Sequence, residues 1–409
     1  MNKISASTGL WVATVVLVTL NLRPFLTAVG PITPVLQEQT GMSLTTISWL
    51  TLLPMALMGI STWLAPSAQR YLGARLTLLI ALAGIAFGNA LRLVSIDATL
   101  LIATAAVCGV SVALVQGVLP GLIKQRNPKH VASIMGVFSA ALMLGGALGA
   151  QFTPLAMQWG TDWREALALW ALPVFPVMVL VAVVVRGEGF VTRERGAGNS
   201  VGASGLAMSG GSVWLLRRKR TWLLMVMLGL VNGGYASMVA WVPPHYQTLG
   251  WSATRTGTLI AVISIAQALA ALILPFFARR NLDRRPWLWF TAVCQVLGFF
   301  MLANWPLVWP LMIGIVLGIG LGGFFALIMV VGLDHLHDPV QAGILSAVMQ
   351  GGGYLLTAIS PWLVAALQEA SGGFSAGWWW QMAASCLVVI FVFWLDPNRY
   401  ARVMGVVNH

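Results

Sequence analysis

The sequence has little charge, few acidic residues and almost no cysteine. Charged residues make up 8% of its 409 residues, against roughly 25% in an average soluble domain. Hydrophobic residues make up 58%, and the mean hydropathy is +0.85. So few charges cannot cover the surface of a soluble protein, which excludes a soluble enzyme, a nucleic-acid binder and a disordered chain. Three cysteines, an odd number, exclude a disulfide framework.

The sequence is instead rich in long apolar runs. Twelve of them are close to or longer than the ~20 residues that a transmembrane helix needs. They are continuously apolar rather than alternating, which predicts helices and not barrel strands. We therefore predict an all-α polytopic membrane protein with twelve transmembrane helices. The runs are Leu10–Leu36, Leu44–Pro66, Leu76–Val94, Thr99–Ile123, Val131–Ala156, Ala166–Val185, Thr221–Val242, Thr256–Phe277, Trp287–Ala303, Leu307–Leu333, Val340–Leu367 and Gly377–Leu395.

The 23 lysine and arginine residues are unevenly divided between the two sides of these runs. Nineteen fall on one side, whereas Arg92, Arg164 and Arg255 fall on the other and Arg23 lies within a run. The positive-inside rule then predicts that both termini are cytoplasmic and that the chain is a multi-pass protein of the cell inner membrane. The net charge of +12 is therefore a topology signal, and we predict no nucleic-acid partner.

The chain divides into two halves of six runs. Residues Arg186–Arg220 form its one long loop, which is rich in glycine, serine and arginine, as flexible linkers are. We predict an N-terminal six-helix half at 1–185, a cytoplasmic linker at 186–220 and a C-terminal six-helix half at 221–409. The halves repeat at an offset near 209 residues, which fits a transporter with its substrate site between the halves. The matching pairs are Gly41 with Gly250, Ser43 with Ser252, Pro66 with Pro275 and Arg70 with Arg279.

This layout resembles the major facilitator superfamily over the whole chain. Helix 5 contains Gly136, Gly145, Gly146 and Gly149, similar to the family's glycine-rich fifth helix, where backbones approach closely. The loop between helices 2 and 3, residues 68–75, keeps the family's glycine and arginines but lacks its acidic residue.

Three stretches narrow the resemblance to the cyanate and 2-nitroimidazole transporter branch. They are residues 21–31 in helix 1 (NLRPFLTAVGP), residues 118–124 ending helix 4 (VLPGLIK) and residues 232–237 in helix 7 (NGGYAS). The resemblance implies transport of a small molecule, but members of the branch differ in what they carry.

Arg23 is the most informative single residue, because it lies at the middle of the first run. A central arginine costs about 2.5–3.5 kcal/mol on insertion scales and must face a wet cavity or a partner. None of the eleven acidic residues lies at the middle of a run, so we predict that Arg23 binds an anionic substrate. The alternative is a structural arginine held by helix-end carbonyls. Arg92, near the end of the third run, is predicted to extend toward the membrane interface.

Neutral polar residues at the middle of other runs complete the predicted substrate site. The resemblance implies that helices 1, 4, 7 and 10 line the cavity, with 2, 5, 8 and 11 beside them. Hydrogen bonding between helices is the alternative role for each residue. Trp241, near the end of a run, is predicted to belong to the interfacial aromatic belt. The predicted site residues are Arg23, Asn21, Gln116, Asn232, Tyr235, Gln267 and Gln350, whereas Gln295 falls on a helix outside this set.

Catalysis is not predicted, since no histidine, carboxylate pair or metal-ligand cluster lies at depth. His335 and His337 beside Asp334 and Asp338 indicate a polar cytoplasmic loop rather than a metal site. We predict no metal and no cofactor.

The sequence thus predicts a monomeric secondary transporter that moves a small anionic, cyanate-like solute across the lipid bilayer by alternating access. Protons or a counter-anion are the candidate coupled partners, and the residues leave open both this choice and the direction of transport. The alternatives are a nitroimidazole or drug-type transporter of the same fold and, in other classes, a transporter-like sensor or a channel.

Overall fold

Long helices form nearly all of the structure, which is a computed structural model. It describes residues 2–61, 65–95, 97–127, 131–185, 214–278, 283–336 and 339–404. We number the long helices in chain order, and a short helix, Tyr400–Met404, follows the last of them. The long helices are α1 Gly9–Thr40, α2 Leu44–Ser61, α3 Ala65–Ala90, α4 Ala98–Arg126, α5 Val131–Gln158, α6 Trp163–Val184, α7 Lys219–Thr248, α8 Ala253–Ala278, α9 Arg285–Asn304, α10 Pro310–Asp334, α11 Pro339–Ser371 and α12 Ser375–Val392.

Eleven of these helices are long and apolar enough to cross a membrane, among the described residues. The remaining one, α11, is 33 residues long and covers the predicted run Val340–Leu367. Each predicted run therefore overlaps a helical span of the described structure. Residues 186–213 of the predicted linker lie outside the described residues, and α7 begins at Lys219, so the last two residues of the predicted linker are helical.

The first span is not one continuous helix. Its helical hydrogen bonding stops at Leu20 and resumes in a short helix, Pro24–Thr27. The amides of Asn21 and Leu22 bond to carbonyls three residues back, 3.1 Å away in each case, and the proline ring that follows Arg23 has no N–H to continue the ladder. The segment Asn21–Arg23, which we call the α1 break, is therefore a consequence of local sequence.

The internal repeat is visible in the way the first two helices of each half are joined. Gly41 and Gly250 adopt φ of 68° and 89°, a left-handed conformation that glycine accepts without strain. Ser43 and Ser252 then place their Oγ atoms 3.1 and 3.2 Å from the amides of Thr46 and Arg255, which caps the next helix. The same turn and cap occur 209 residues apart.

Contacts of α1 with α7, and of the start of α2 with the end of α11, join the halves at one end of the molecule, which we call the closed end. Gln247 of α7 donates from Nε2 to the carbonyl of Pro31, at 2.6 Å. The amide of Thr45, at the start of α2, donates at 2.9 Å to Oε1 of Glu369, which lies near the end of α11. An added Cβ on Gly30 would lie 3.2 Å from Cγ of Pro243, so the backbones of α1 and α7 nearly touch there.

Trp241 corrects an expectation from the sequence. It was predicted to lie in the interfacial aromatic belt, but its side chain is 1% exposed. Its Nε1 donates to the carbonyl of Pro361 at 2.7 Å, and its ring lies 6.1 Å from that of Phe374. A tryptophan satisfies its N–H in the protein interior in this way, so position near a span end was a poor guide to lipid contact.

Candidate functional site

The α1 break buries a cationic side chain at the middle of the first span. Arg23 is 7% exposed, and its Nη1 is buried with no hydrogen-bond partner among the described residues. The break exists because Pro24 cannot continue the helix. A buried guanidinium N–H without an acceptor is costly, so the position is suited to a ligand that supplies one.

Two tyrosines from the C-terminal half lie near this guanidinium. The Arg23 Cζ atom lies 5.3 Å from the centroid of the Tyr235 ring, within the range of a cation–π contact. Tyr354 of α11 is buried and interacts electrostatically with both Arg23 and Tyr235. The three side chains come from α1, α7 and α11, so the group lies between the two halves.

Glycines of α5 allow the α1 break to pack closely. An added Cβ on Gly149 would lie 2.6 Å from Cα of Pro24, and one on Gly145 would lie 2.9 Å from the carbonyl carbon of Leu20. An added Cβ on Gly146 would lie 3.6 Å from the Tyr235 hydroxyl. The sequence predicted close approach along this helix, and Gly145 and Gly149 occupy such contacts. Gly136 faces only a leucine methyl group.

No carboxylate neutralises Arg23 within the described part of the chain. The ion pairs found there are Arg164–Asp162, Arg284–Asp334, Arg285–Asp283 and Arg399–Asp396. None of the acidic side chains described is buried, although several are half-buried. The positive charge at the α1 break is therefore uncompensated by protein groups that the structure describes.

The other predicted site residues on the first helices of the two halves differ in their hydrogen bonding. Asn21, inside the α1 break, donates from Nδ2 to the carbonyl of Leu17 at 2.8 Å. Asn232 lies three residues before Tyr235 on α7, and its buried Nδ2 has no partner among the described residues. Residues three apart share a helix face, so Asn232 and Tyr235 lie on the same face of α7.

The three predicted glutamines lie on separate helices. Gln350 donates weakly from Nε2 to Ser346 at 3.4 Å, and Gln116 of α4 has a buried Nε2 without a described partner. Gln267 of α8 is 2% exposed, and α10 packs against its backbone at Gly318. No hydrogen bond that the structure describes joins these glutamines to Arg23.

Gln295, placed outside the site by the sequence, donates to the carbonyl of Gly320 at 3.1 Å and so joins α9 to α10.

Tyr354 is the site residue that sequence reasoning missed. It lies four residues after Gln350, and therefore on the same face of α11, so the spacing could have identified it.

Arg92 corrects a second expectation. The sequence predicted that it extends to the membrane interface, but the side chain is 0% exposed. Its Nη1 and Nη2 both lie 3.2 Å from the carbonyl oxygen of Phe25, and Nε lies 3.3 Å from Oγ1 of Thr104. The position of Arg92 near a span end could not show that the Phe25 carbonyl, far away in the sequence, is free to accept its hydrogen bonds.

The predicted polar loop after α10 contains an ordered histidine. The His335 ring stacks on Tyr400 with centroids 3.8 Å apart, and Nδ1 lies 2.7 Å from the carbonyl of Val331. Burial lowers the pKa of His335 to about 4, so the ring is neutral at physiological pH. His337 and Asp338 lie outside the described residues, and no metal-ligand group is present among those described.

The features above define a class of protein: a polytopic helical carrier with two repeated halves and a polar site between them. A sequence model of the Major Facilitator Superfamily matches residues 15–361. The chain belongs to the major facilitator superfamily, and it is a multi-pass membrane transporter.

Two relatives are named for what they transport. The chain is 36% identical to the cyanate transport protein CynX of Escherichia coli, over 88% of this chain and 90% of that protein. It is 27% identical to the 2-nitroimidazole transporter of E. coli, over 93% of each. Among solved structures, the D-xylose–proton symporter has the same fold, with a TM-score of 0.73 at 14% identity over 95% of this chain and 97% of that one.

Proposed function

We propose that this chain is a secondary active transporter of the inner membrane that moves a small anion by alternating access. Cyanate is the first candidate, and Arg23 is the central anion-binding residue. One observation carries the proposal: Arg23 is buried between the two halves with an unpartnered N–H and no described carboxylate beside it. The relative at 36% identity is named for cyanate transport, which supports a small anion as the substrate.

The chemistry of the three surrounding side chains suits such a substrate. A guanidinium offers planar, paired N–H donors that match a small planar or linear anion. Tyr235 and Tyr354 add hydroxyl donors and flat ring faces beside it. Asn232, whose Nδ2 has no described partner, is on the same face of α7 as Tyr235 and is the next donor that we assign to the site.

The closed end supports alternating access. The contacts of Gly30, Pro31 and Thr45 with α7 and α11 join the halves at that end, beyond the Arg23 group. We assign the closed end to the external side, because the loops at the other end contain most of the positive charge. With this assignment we propose that the carrier is closed to the outside in this conformation and that opening requires these contacts to part.

Uptake of an anion against the membrane potential must be coupled to a second, compensating movement. An anion entering a negative-inside cell is opposed by about 2.3 kcal/mol per charge for each 100 mV. No described carboxylate is buried at the depth of Arg23, so we propose that compensation comes from a proton carried by the substrate as its neutral acid, or from exchange for a counter-anion.

A nitroimidazole-type substrate is the second candidate. Two tyrosine side chains beside Arg23 could stack on a flat aromatic ring that bears a nitro group, whose oxygens the guanidinium would meet. The relative at 27% identity is named a 2-nitroimidazole transporter.

The test is a flux and binding series on purified protein in proteoliposomes. Cyanate, nitrate, formate and 2-nitroimidazole are each offered at several pH values, with substrate preloaded on the opposite side. Counterflow of a small anion is expected. A channel would show flux without counterflow, and a sensor would bind without flux.

Arg23→Ala is the decisive variant. It is expected to lower anion affinity by about a hundredfold, because a charge-assisted hydrogen bond at a buried site is lost. Membrane insertion should not suffer, since an uncompensated central charge is removed. Arg23→Lys keeps the charge but loses the planar pair of donors, so binding should remain weak. Arg255→Ala, which removes an exposed arginine, is the matched control. Wild-type affinity in monodisperse Arg23→Ala would refute the site.

Orientation is tested by cysteine labelling in intact cells. Ser204→Cys in the predicted cytoplasmic linker should not react with an impermeant reagent. Thr99→Cys, at the exposed start of α4, should react strongly. Labelling of Ser204→Cys alone would reverse the topology proposed from the positive charges.

A further inference from the structure

The second buried arginine has a role that anion binding does not explain. Arg92, in the short 3-10 helix Leu91–Val94 directly after α3, is 0% exposed. Its two terminal N–H groups reach the carbonyl of Phe25, 67 positions earlier in the chain. In the described structure no backbone amide bonds to that carbonyl: its donor in a continuous helix would be the amide of Val29, but the short helix ends at Thr27. Arg92 thus occupies a carbonyl that is left free at the end of the short helix following the α1 break.

The remaining N–H of Arg92 is held from α4. Its Nε lies 3.3 Å from Oγ1 of Thr104, and that hydroxyl donates in turn to the carbonyl of Leu101 at 2.7 Å. The threonine proton is therefore directed away, so the oxygen is free to accept from Arg92. The short helix after α3 and its neighbour α4 fix the orientation of one guanidinium plane against α1.

The short helix after the break needs such support. It is four residues long, Pro24–Thr27, and its internal bonds are those of Leu26 and Thr27 to the Arg23 carbonyl and of Ala28 to the Pro24 carbonyl. A single turn is unstable by itself, because nucleating a helix fixes several dihedrals for few hydrogen bonds. Tertiary contacts must therefore define the conformation of the backbone at Arg23.

We propose that Arg92 is a positioning residue, which fixes the α1 break through the Phe25 carbonyl and so holds Arg23 in its binding orientation. The guanidinium suits this role better than an ammonium, because its planar fork reaches one carbonyl with two donors and a third group with Nε. Arg92 does not contact the substrate. Its effect on transport rests on the anion site proposed above, whereas its effect on the α1 break does not.

The experiment compares hydrogen exchange and substrate affinity in one set of variants. Arg92→Met removes all three hydrogen bonds with similar side-chain length, Arg92→Lys restores one donor and the charge, and Thr104→Val removes the α4 contact alone. Arg255→Met, an exposed arginine stacked 3.7 Å from the centroid of the Trp251 ring, is the control.

Arg92→Met should raise amide exchange in peptides covering residues 24–28 by about tenfold, given the strength of a hydrogen bond from a charged donor. Arg92→Lys should restore part of the protection, and Thr104→Val should give a smaller increase. The control should match the wild type. Affinity for cyanate should fall in the same order as protection.

Unchanged exchange at residues 24–28 in monodisperse Arg92→Met would overturn the proposal, whatever the substrate. If Arg92→Met does not accumulate, Thr104→Val decides in its place: faster exchange confined to this segment supports the role of Arg92, and wild-type exchange refutes it. A third outcome is faster exchange in Arg92→Met while cyanate affinity stays at the wild-type value in both Arg92→Met and Arg23→Ala. That outcome would support the positioning of the break by Arg92 and refute the anion site.

Discussion

The first helix of each half follows the same plan but departs from it at one place. At the offset of 209 residues, Arg23-Pro24 in α1 corresponds to Asn232-Gly233 in α7. Both helices end in a glycine with positive φ and lead to a serine-capped second helix. Between these shared features α1 is interrupted, whereas α7 runs unbroken for 30 residues.

Because of this difference, the N-terminal half supplies the charged side chain of the site and the C-terminal half supplies an aromatic side chain beside it. Proline interrupts α1, and Gly145 and Gly149 pack against the backbone on either side of the interruption. The short helix that follows leaves the Phe25 carbonyl free to accept from Arg92. Glycine at the corresponding place in α7 leaves the hydrogen-bond ladder intact, and Tyr235 on that helix faces Arg23. The site is therefore asymmetric although the halves repeat: interrupted α1 contributes the charge of Arg23, and continuous α7 contributes the ring of Tyr235.

The largest expected effect is on the packing of the α1 break. Gly149→Ala would place a Cβ 2.6 Å from Cα of Pro24 and 2.8 Å from its carbonyl oxygen, atoms that cannot move aside alone. We expect a loss of about 1–3 kcal/mol of stability and weak anion binding. Thermal unfolding in detergent measures the first. Gly136→Ala, which meets only a flexible leucine methyl at 3.2 Å, is the control and should behave as the wild type.

A second change makes α1 more like α7. Pro24→Ala supplies the missing N–H, so the helix can continue through the break. Anion affinity should fall by about tenfold while the protein remains folded, because Arg23 moves with the rewound backbone. Equilibrium binding of cyanate checks the affinity. Pro275→Ala, which also restores an N–H within a helix but in α8, should bind normally. Equal affinities in the two variants would mean that the break is not needed for binding.

A third change tests what α7 contributes. Tyr235→Phe keeps the ring over Arg23 and loses the hydroxyl, whereas Tyr235→Leu loses both. Given about 0.5–2 kcal/mol for a cation–π contact, affinity should fall by a few-fold more in the leucine variant. Trp251→Leu removes the ring of an exposed arginine–aromatic pair and should leave binding unchanged. The same loss in both Tyr235 variants would assign the effect to the hydroxyl.

The smallest effect concerns a loop in which the halves also differ. Asp283 accepts hydrogen bonds from Arg285 at 2.7–3.0 Å, whereas the loop after α2 has no acidic residue. The side-chain hydrogen bond from Arg285 holds the pKa of Asp283 below its usual value of 3.8. A lowered folded-state pKa means that the contribution is present above the unfolded value and is lost as pH falls through the folded value.

Asp283→Asn should therefore lower stability at neutral pH by less than about 1 kcal/mol, because the pair is partly exposed. The difference from the wild type should disappear below the carboxyl pKa. Thermal unfolding at neutral and acidic pH checks both statements. A constant difference at all pH values would assign the effect to something other than the ion pair.

Most of the fold could be predicted from sequence, because membrane insertion depends on local hydropathy. Each predicted run overlaps a helical span, and the repeat signalled by Gly41 and Gly250 recurs as a repeated turn. Trp241 and Arg92 were misplaced for one reason. Both residues lie near span ends in the sequence and were therefore predicted at the membrane interface. Their side chains instead point inward and bond to carbonyls far away in the chain.

The sequence by itself determined the class of protein, the spans, the repeat and the position of one arginine in the middle of a span. Those properties follow from runs and spacings that can be counted along the chain. Only the tertiary structure decided which groups meet that arginine and which backbone carbonyl Arg92 takes. These contacts join residues 67 or more positions apart, so they depend on how helices pack, and helix packing depends on where glycines allow close approach.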